Sequence, residues 1–461
     1  SFRQAYPRVR YRFYSGNADH IKERMLAHPA QTIGDERRVM TYRELLEDAE
    51  RKGRGLDRAK YGILCRSELD TARALLACFF AGKTAVPLSY RYGDSHTRKI
   101  IAGMRLSHLL TDKGVEEAAP VGPEPEDLTG VALIMSTSGT TGDPKGAMIT
   151  QENLLANLRD IEAYFRLEDT DHILIARPLY HCAVLTGEFL FSLLRGVKIT
   201  FTEAGFNPAR LSRLISREGI TVLGGTPTLF YHLSGLIRRS GKTPLRVMAV
   251  SGECMTRTVA EEMRGAFPQT LIYHVYGLTE ASPRAAWLPP EQFDDAPLSV
   301  GRPLDSLRAR IVDGELQLAG PSIMKGYYNR PEATDRALEG GWLHTGDMAE
   351  RDGAGRLYIR GRRDNMIIRS GMNIYPQEIE NALRGERGIA EALAFGVRDE
   401  RVGQRIHLQV ATDLTRAEVY RVCQARLPGF QLPDVIEVVK EIPKNASGKI
   451  LRKGRDGHGN A

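Results

Sequence analysis

Cysteine is scarce and poorly spaced for structural work. The five in 461 residues are Cys65, Cys78, Cys182, Cys254 and Cys423. Their number is odd and no two stand as CxxC, which argues against a disulfide framework and against a zinc site. No apolar run approaches the length that crosses a bilayer; the best candidate, residues 74–82, is far too short. The opening stretch SFRQAYPRVRYRFY is basic but lacks the apolar core of a signal peptide. A cytoplasmic protein with no membrane span is therefore expected. Long basic runs are missing too. The net charge is +7, yet Lys and Arg are scattered among acids. That disfavours a nucleic-acid partner and suits a basic enzyme with anionic substrates. No internal repeat or low-complexity tract occurs.

What is present is the composition of a folded protein, with 42% hydrophobic and 26% charged residues. The length calls for two or three domains. From about residue 130, short apolar runs alternate with amphipathic stretches. Strands are expected at 131–135, 173–176, 197–201, 222–223, 246–250 and 271–275. Helices are expected at 151–165, 183–194, 207–217, 227–238 and 256–266, with Thr150 as an N-cap and Pro227 in a first turn. This alternation predicts an α/β fold with helices layered on parallel sheets. After about residue 297 the rhythm changes to short strands broken by Gly and Asp. A second, smaller unit with helices at 376–385 and 415–427 is expected, with the boundary at Arg363–Asp364. The domains are then 1–363 and 364–461.

The densest chemical signal is STSGTTGDPKG at 136–146, between two apolar runs. Glycine lets backbone N–H groups approach phosphate oxygens closely, Ser and Thr hydroxyls add donors, and Lys145 adds positive charge. It is not a Walker A loop, because Pro144 stands where the second Gly should be. A flexible Ser/Gly linker has a similar composition, but such linkers seldom carry Pro and Lys directly before a strand.

This loop resembles the signature loop of the adenylate-forming superfamily, which includes acyl- and aryl-CoA synthetases, nonribosomal adenylation domains and luciferases. Further motifs follow in the family's order: TYREL at 41–45, AGKTAVPL at 81–88, YGLTE at 276–280, HTGD at 344–347, GRRD at 361–364, SGMNIYPQEIE at 370–380 and PKNASGKILR at 443–452. The resemblance thus covers nearly the whole chain. It implies a large N-terminal domain of layered sheets with a small β-barrel-like part, and a small mobile α+β C-terminal domain. It places Thr137, Ser138, Gly139, Thr140, Thr141, Gly142 and Lys145 around the phosphates of ATP. Tyr276 would stack on adenine beside Gly277, and Thr279 would contact the α-phosphate or the acyl carboxylate. Glu280 would help hold Mg²⁺, as suits a hard oxygen ligand. Asp347 would accept from the ribose hydroxyls, Arg362 would reach ribose or phosphate, and Asp364 would be the hinge. The loop at Gly371 would enter the site for the thiol step, and Lys449 would be the catalytic lysine.

The implied reaction joins two anions. The carboxylate attacks the α-phosphate, pyrophosphate leaves, and a thiol then takes the acyl group from AMP. Positive potential must offset the repulsion, and no general base is needed because the acid is already ionised. The thiol is expected to be CoA, with a carrier-protein phosphopantetheine as the alternative. By resemblance, Tyr180, His181, Thr226, Gly252 and Cys254 line the acyl pocket, with His181 beside the carboxylate or the thiol. The RPLYH segment at 177–181 lacks the Asp that pairs with an α-ammonium in amino-acid-activating relatives. Segments 180–188, 224–228 and 251–254 carry no Lys or Arg, which disfavours a dicarboxylic acid. Aryl and medium-length aliphatic acids both remain open. Two departures stand out: Glu253, where many CoA ligases carry a small residue, and Gln431, where many carry Lys.

Overall fold

The computed structural model describes residues 17–137, 144–203, 205, 207–370, 372–399, 401–443 and 450. Four sheets organise them. The largest has nine strands. At its heart Leu271–Gly277, Val247–Val250, Val222–Gly225, His172–Ile175, Lys198–Phe201 and Thr32–Gly34 lie side by side and parallel. Antiparallel strands close both edges.

Period-two burial explains why this sheet needs a layer on each face. Ile173, Val222, Val247 and Tyr273 join one core, while their neighbours Leu174, Leu223, Met248 and Ile272 join another. The second core is closed by the outer helices Pro208–Glu218, Pro227–Ser240 and Arg257–Ala266. The first is shared with the seven-stranded sheet, which contributes Tyr61, Leu133 and Ile149. Between the two sheets run Glu68–Phe80, Gln151–Tyr164 and the helical stretch from Cys182 to Arg195.

The middle helix begins where the sequence predicts. Thr150 accepts from the Asn153 backbone at 3.1 Å, and the Asn153 side chain accepts from the Thr150 backbone at 2.9 Å. The stretch from Cys182 differs from the simple helix expected at 183–194: Leu185–Leu190 forms a π-helical turn. The five cysteines are free. Among the described residues no helix is long and apolar enough to cross a membrane.

Where a barrel-like part was expected, Arg308–Val312, Glu315–Ala319, Leu343–Arg351 and Leu357–Arg362 form a four-stranded antiparallel sheet. A single turn, Arg363–Asn365, separates it from Ile367–Arg369, the first strand of the last sheet. That sheet has its own core, built from Ile367, Ile379, Leu383, Leu408, Val419 and Cys423 among others.

Candidate active site

Four segments emerge at the carboxyl ends of neighbouring parallel strands. They are Arg177–Pro178 after His172–Ile175, Thr226 after Val222–Gly225, Ser251–Gly252 after Val247–Val250, and Tyr276 at the end of Leu271–Gly277. Open parallel sheets bind ligands in the crevice outside this edge.

Tyr276 donates its hydroxyl to Asp347 Oδ2 at 2.6 Å. Arg362 donates to Asp347 Oδ1 at 3.2 Å and to the Thr345 carbonyl at 2.7 Å. The YGLTE, HTGD and GRRD motifs thus meet at one carboxylate. Burial pushes the Asp347 carboxyl above its ordinary value, opposed by the Arg362 charge. Burial likewise pushes the Tyr276 hydroxyl well up, so it remains a donor. Gly346 is in the left-handed region at φ 70°, and a Cβ there would come within 2.6 Å of the Arg362 guanidinium.

The scaffold behind this contact is Glu315, which the motif reading missed. Its Oε1 accepts from the Gly346 backbone at 2.9 Å, and its Oε2 accepts from Arg363 at 3.0 Å. His344 Nδ1 lies 3.3 Å from the same oxygen. A buried acid in the strand GELQLAG was the available signal. Thr345 completes the turn, donating to the Leu316 carbonyl at 2.6 Å and accepting from the Asp347 backbone at 3.0 Å.

A second convergence lies at Tyr327. Its hydroxyl donates to Glu280 Oε1 at 2.8 Å, and Lys145 Nζ stands 5.1 Å from its ring centre. The Lys145 and Glu280 motifs are therefore neighbours. Thr137 and Lys145 are cross-strand partners that flank the phosphate loop. Ser138, Gly139, Thr140, Thr141 and Gly142 of that loop, together with Gly371 and Lys449, lie outside the described residues. Thr279 begins the turn Thr279–Ala281. Gly277 is needed where it stands, because a Cβ would meet the Pro283 carbonyl at 2.4 Å. Asp364 lies in the turn Arg363–Asn365. Among the described residues no cluster of three or more His, Cys, Asp or Glu could hold a metal by itself. A lone Glu280 suits Mg²⁺, which is commonly bound by one or two carboxylates completed by phosphate oxygens.

Of the residues expected to line an acyl pocket, Tyr180 is buried, with His96 Nε2 3.1 Å from its hydroxyl. His181 stands edge-on to it at 5.3 Å between ring centres and precedes the helix at Cys182. The loop carrying them is tied down by buried Glu68, which accepts from the Leu179 backbone at 3.0 Å. Thr226 caps the helix Pro227–Ser240, and a Cβ on Gly252 would sit 3.6 Å from its methyl. Burial pushes the Cys254 thiol up to about 11, so it is uncharged at neutral pH. Glu253 accepts from the Thr228 hydroxyl at 2.6 Å and from Arg384 of the small unit at 3.5 Å. Gln431 donates to Glu378 at 2.7 Å.

The AMP-binding enzyme profile matches residues 111–328, and the AMP-binding enzyme C-terminal domain profile matches 378–449. The chain is 32% identical to a feruloyl-CoA synthase of an Amycolatopsis species over 464 residues, covering 90% of this chain and 93% of that protein. The chain belongs to the AMP-binding enzyme family. Among solved structures it resembles the o-succinylbenzoate CoA synthetase of Bacillus subtilis in complex with its acyl-adenylate intermediate. The TM-score is 0.83 at 26% identity, covering 96% of this chain and 99% of that one. The same synthetase in complex with ATP and magnesium ion gives a TM-score of 0.82, again at 26% identity, over 94% and 98% of the two chains.

Proposed function

We propose that Tyr276, Asp347 and Arg362 hold the nucleoside of ATP while a carboxylic acid, laid along the carboxyl edge of the large sheet, attacks the α-phosphate. The chain is an AMP-forming acid–thiol ligase: it makes an acyl-adenylate with release of pyrophosphate and passes the acyl group to CoA. Nothing among these relatives favours a carrier-protein phosphopantetheine as acceptor. The observation that carries the residue roles is the meeting of three distant motifs at Asp347.

Lys145, Thr279 and Lys449 supply donors and positive charge where the phosphates crowd, and Glu280 holds Mg²⁺, which neutralises phosphate charge when bound. The small unit, 364–461, swings about Asp364 between the two steps, withdrawing Lys449 and bringing in Gly371. His181 and Tyr180 flank the acid, whose tail lies against Thr226, Gly252 and Cys254. Of the cations beside these segments, Arg177 is already paired with Glu188 and Arg384 with Glu253, which disfavours a second carboxylate. Acid-dependent ATP–pyrophosphate exchange over a panel of acids, followed by thioester formation with CoA, tests this reading. Exchange unaffected by loss of Asp347 would remove the nucleoside assignment.

A further inference from the structure

The edge that carries the nucleoside contact at Tyr276 leads, three strands away, to an ion pair between a half-buried Arg177 and a buried Glu188. Arg177 and Glu188 are joined through Arg177 Nη2 and Glu188 Oε1. Glu188 is 3% exposed and rides on the π-helical turn Leu185–Leu190. Such turns are frequent at functional sites. Its carboxylate lies against Gly224, two residues before Thr226. A Cβ on Gly224 would come within 2.4 Å of Oε1, so this glycine makes room for the acid group.

The pair is not self-sufficient. Glu188 Oε2 and Arg177 Nε are both buried atoms, and neither has a hydrogen-bond partner among the described residues. One is an acceptor and the other a donor. Leaving such groups unpaired costs enough that they normally find a partner. A hydroxyl is the smallest substituent that can donate to one and accept from the other at once. A second carboxylate would be repelled by Glu188. An ammonium would leave the Arg177 N–H unpaired and meet a like charge. A plain alkyl or aryl end would strand both groups.

The position suits a substrate tail. The order along the edge is Tyr276, Gly252, Thr226, Arg177. At about 4.8 Å per strand, the pair stands about 10 Å from the strand that leads to Gly252. We infer that Arg177 and Glu188 form the distal end of the acyl site and select acids that carry a hydroxyl there. This rests on the acid-binding assignment proposed above. It makes Arg177 and Glu188 specificity residues for an acid of modest length, rather than partners in a purely structural ion pair.

The test is acid-dependent ATP–pyrophosphate exchange by the full chain on matched acids that differ only in the hydroxyl. The pairs are 4-hydroxybenzoate with benzoate, 4-hydroxycinnamate with cinnamate, and 6-hydroxyhexanoate with hexanoate. At least one pair is expected to favour the hydroxylated acid in kcat/KM by about tenfold or more, because a site built to bond a hydroxyl discriminates strongly against its absence. Glu188→Gln should reduce that ratio. The double change Arg177→Met with Glu188→Met removes donor and acceptor together, without stranding a buried charge, and keeps the test open where the single change fails to fold. There the ratio should fall to about one or below. Equal kcat/KM within every pair, or a preference unchanged in the double variant, overturns the inference and leaves acid activation standing. No exchange with any of the six acids overturns the placing of this pair at the end of a short acyl site.

Discussion

The Tyr276 hydroxyl and Asp347 Oδ2 stand 2.6 Å apart although 71 residues separate them in the chain. Arg362 holds the other oxygen of the same carboxylate. The carboxylate is thus oriented by a donor on each side, and an acceptor-only group so held is suited to paired hydroxyls. Asp347→Asn keeps the shape but removes the charge that faces Arg362. Hydrogen bonds to charged groups contribute about 1.5–3 kcal/mol, so ATP affinity should fall about ten- to a hundredfold, read by calorimetric titration. The pH dependence follows from burial, which raises this carboxyl above its ordinary 3.8. As pH falls the carboxylate is lost earlier than an exposed Asp would be. ATP binding should therefore weaken from above that value downward, and the Asn variant should lose this limb.

Arg384 and Glu253 make a different kind of contact, one that ties the small unit to the large sheet. Their separation is 3.5 Å and their side chains are 36% and 34% exposed. Exposed pairs of this sort contribute about 0.2–1 kcal/mol. Arg384→Ala should therefore change the ratio of adenylation rate to CoA-transfer rate by about fivefold at most, and salt should mimic it on the unaltered chain. Separate single-turnover assays of the two half-reactions would measure this. A change far beyond tenfold would mean that Arg384 touches substrate instead.

Much of this was legible in the sequence, for identifiable reasons. Thr150 and Asn153 form a cap whose signal lies within four residues, and the start of that helix came out where expected. The strands at 222–225 and 247–250 are buried on both faces, so their unbroken apolar runs announced them. Tyr276, Asp347 and Arg362 each stand in a motif legible in the sequence, although no local pattern says that Tyr276 and Asp347 touch. What stayed hidden is side-chain pairing across the fold. Glu315 supports Gly346 from 31 residues away, and in sequence it is one acid among many. The π-helical turn at 185–190 is hidden too, because an apolar helix and one with an extra residue in its turn share the same composition. It carries Glu188, which a count of cations in the pocket segments passed over.

Two imidazoles give a stability prediction. His172 lies 2.7 Å from the Thr200 hydroxyl and 3.2 Å from the Glu218 carbonyl, and His274 lies 3.0 Å from the Pro297 carbonyl. Burial holds each down to about 4, against an ordinary 6.5. Below pH 6.5 the unfolded chain takes up protons that these residues refuse in the fold. Their stabilising effect is therefore complete above pH 6.5 and is lost as pH falls towards 4, with a ceiling of about 3 kcal/mol for His274. The most depressed carboxylates, Asp70 and Asp352, are held at about 2 and act only at lower pH. Urea midpoints should drop between pH 6.5 and 4.5. A flat midpoint over that range, once the opposite contribution of the raised carboxyls of Glu68 and Asp347 is removed with their amide variants, would mean that the two rings take up protons as readily in the fold as out of it.

The roles proposed for Lys449 and Glu280 predict different effects on the two half-reactions. Adenylation brings a carboxylate against a triphosphate, whereas CoA transfer starts from an adenylate that has already lost pyrophosphate. A lysine whose task is to offset charge on the phosphates therefore matters to the first step and little to the second. Losing one preorganised charge of this kind costs about a hundredfold or more. Lys449→Ala should lower acid-dependent ATP–pyrophosphate exchange by at least that factor while still converting a supplied acyl-adenylate and CoA to thioester. Glu280→Gln, which disturbs the Tyr327 contact and weakens Mg²⁺ binding, should instead raise the Mg²⁺ concentration needed for exchange. An equal loss of both half-reactions in Lys449→Ala would show that the lysine acts in thioester formation as well, and that a swing of the small unit does not withdraw it.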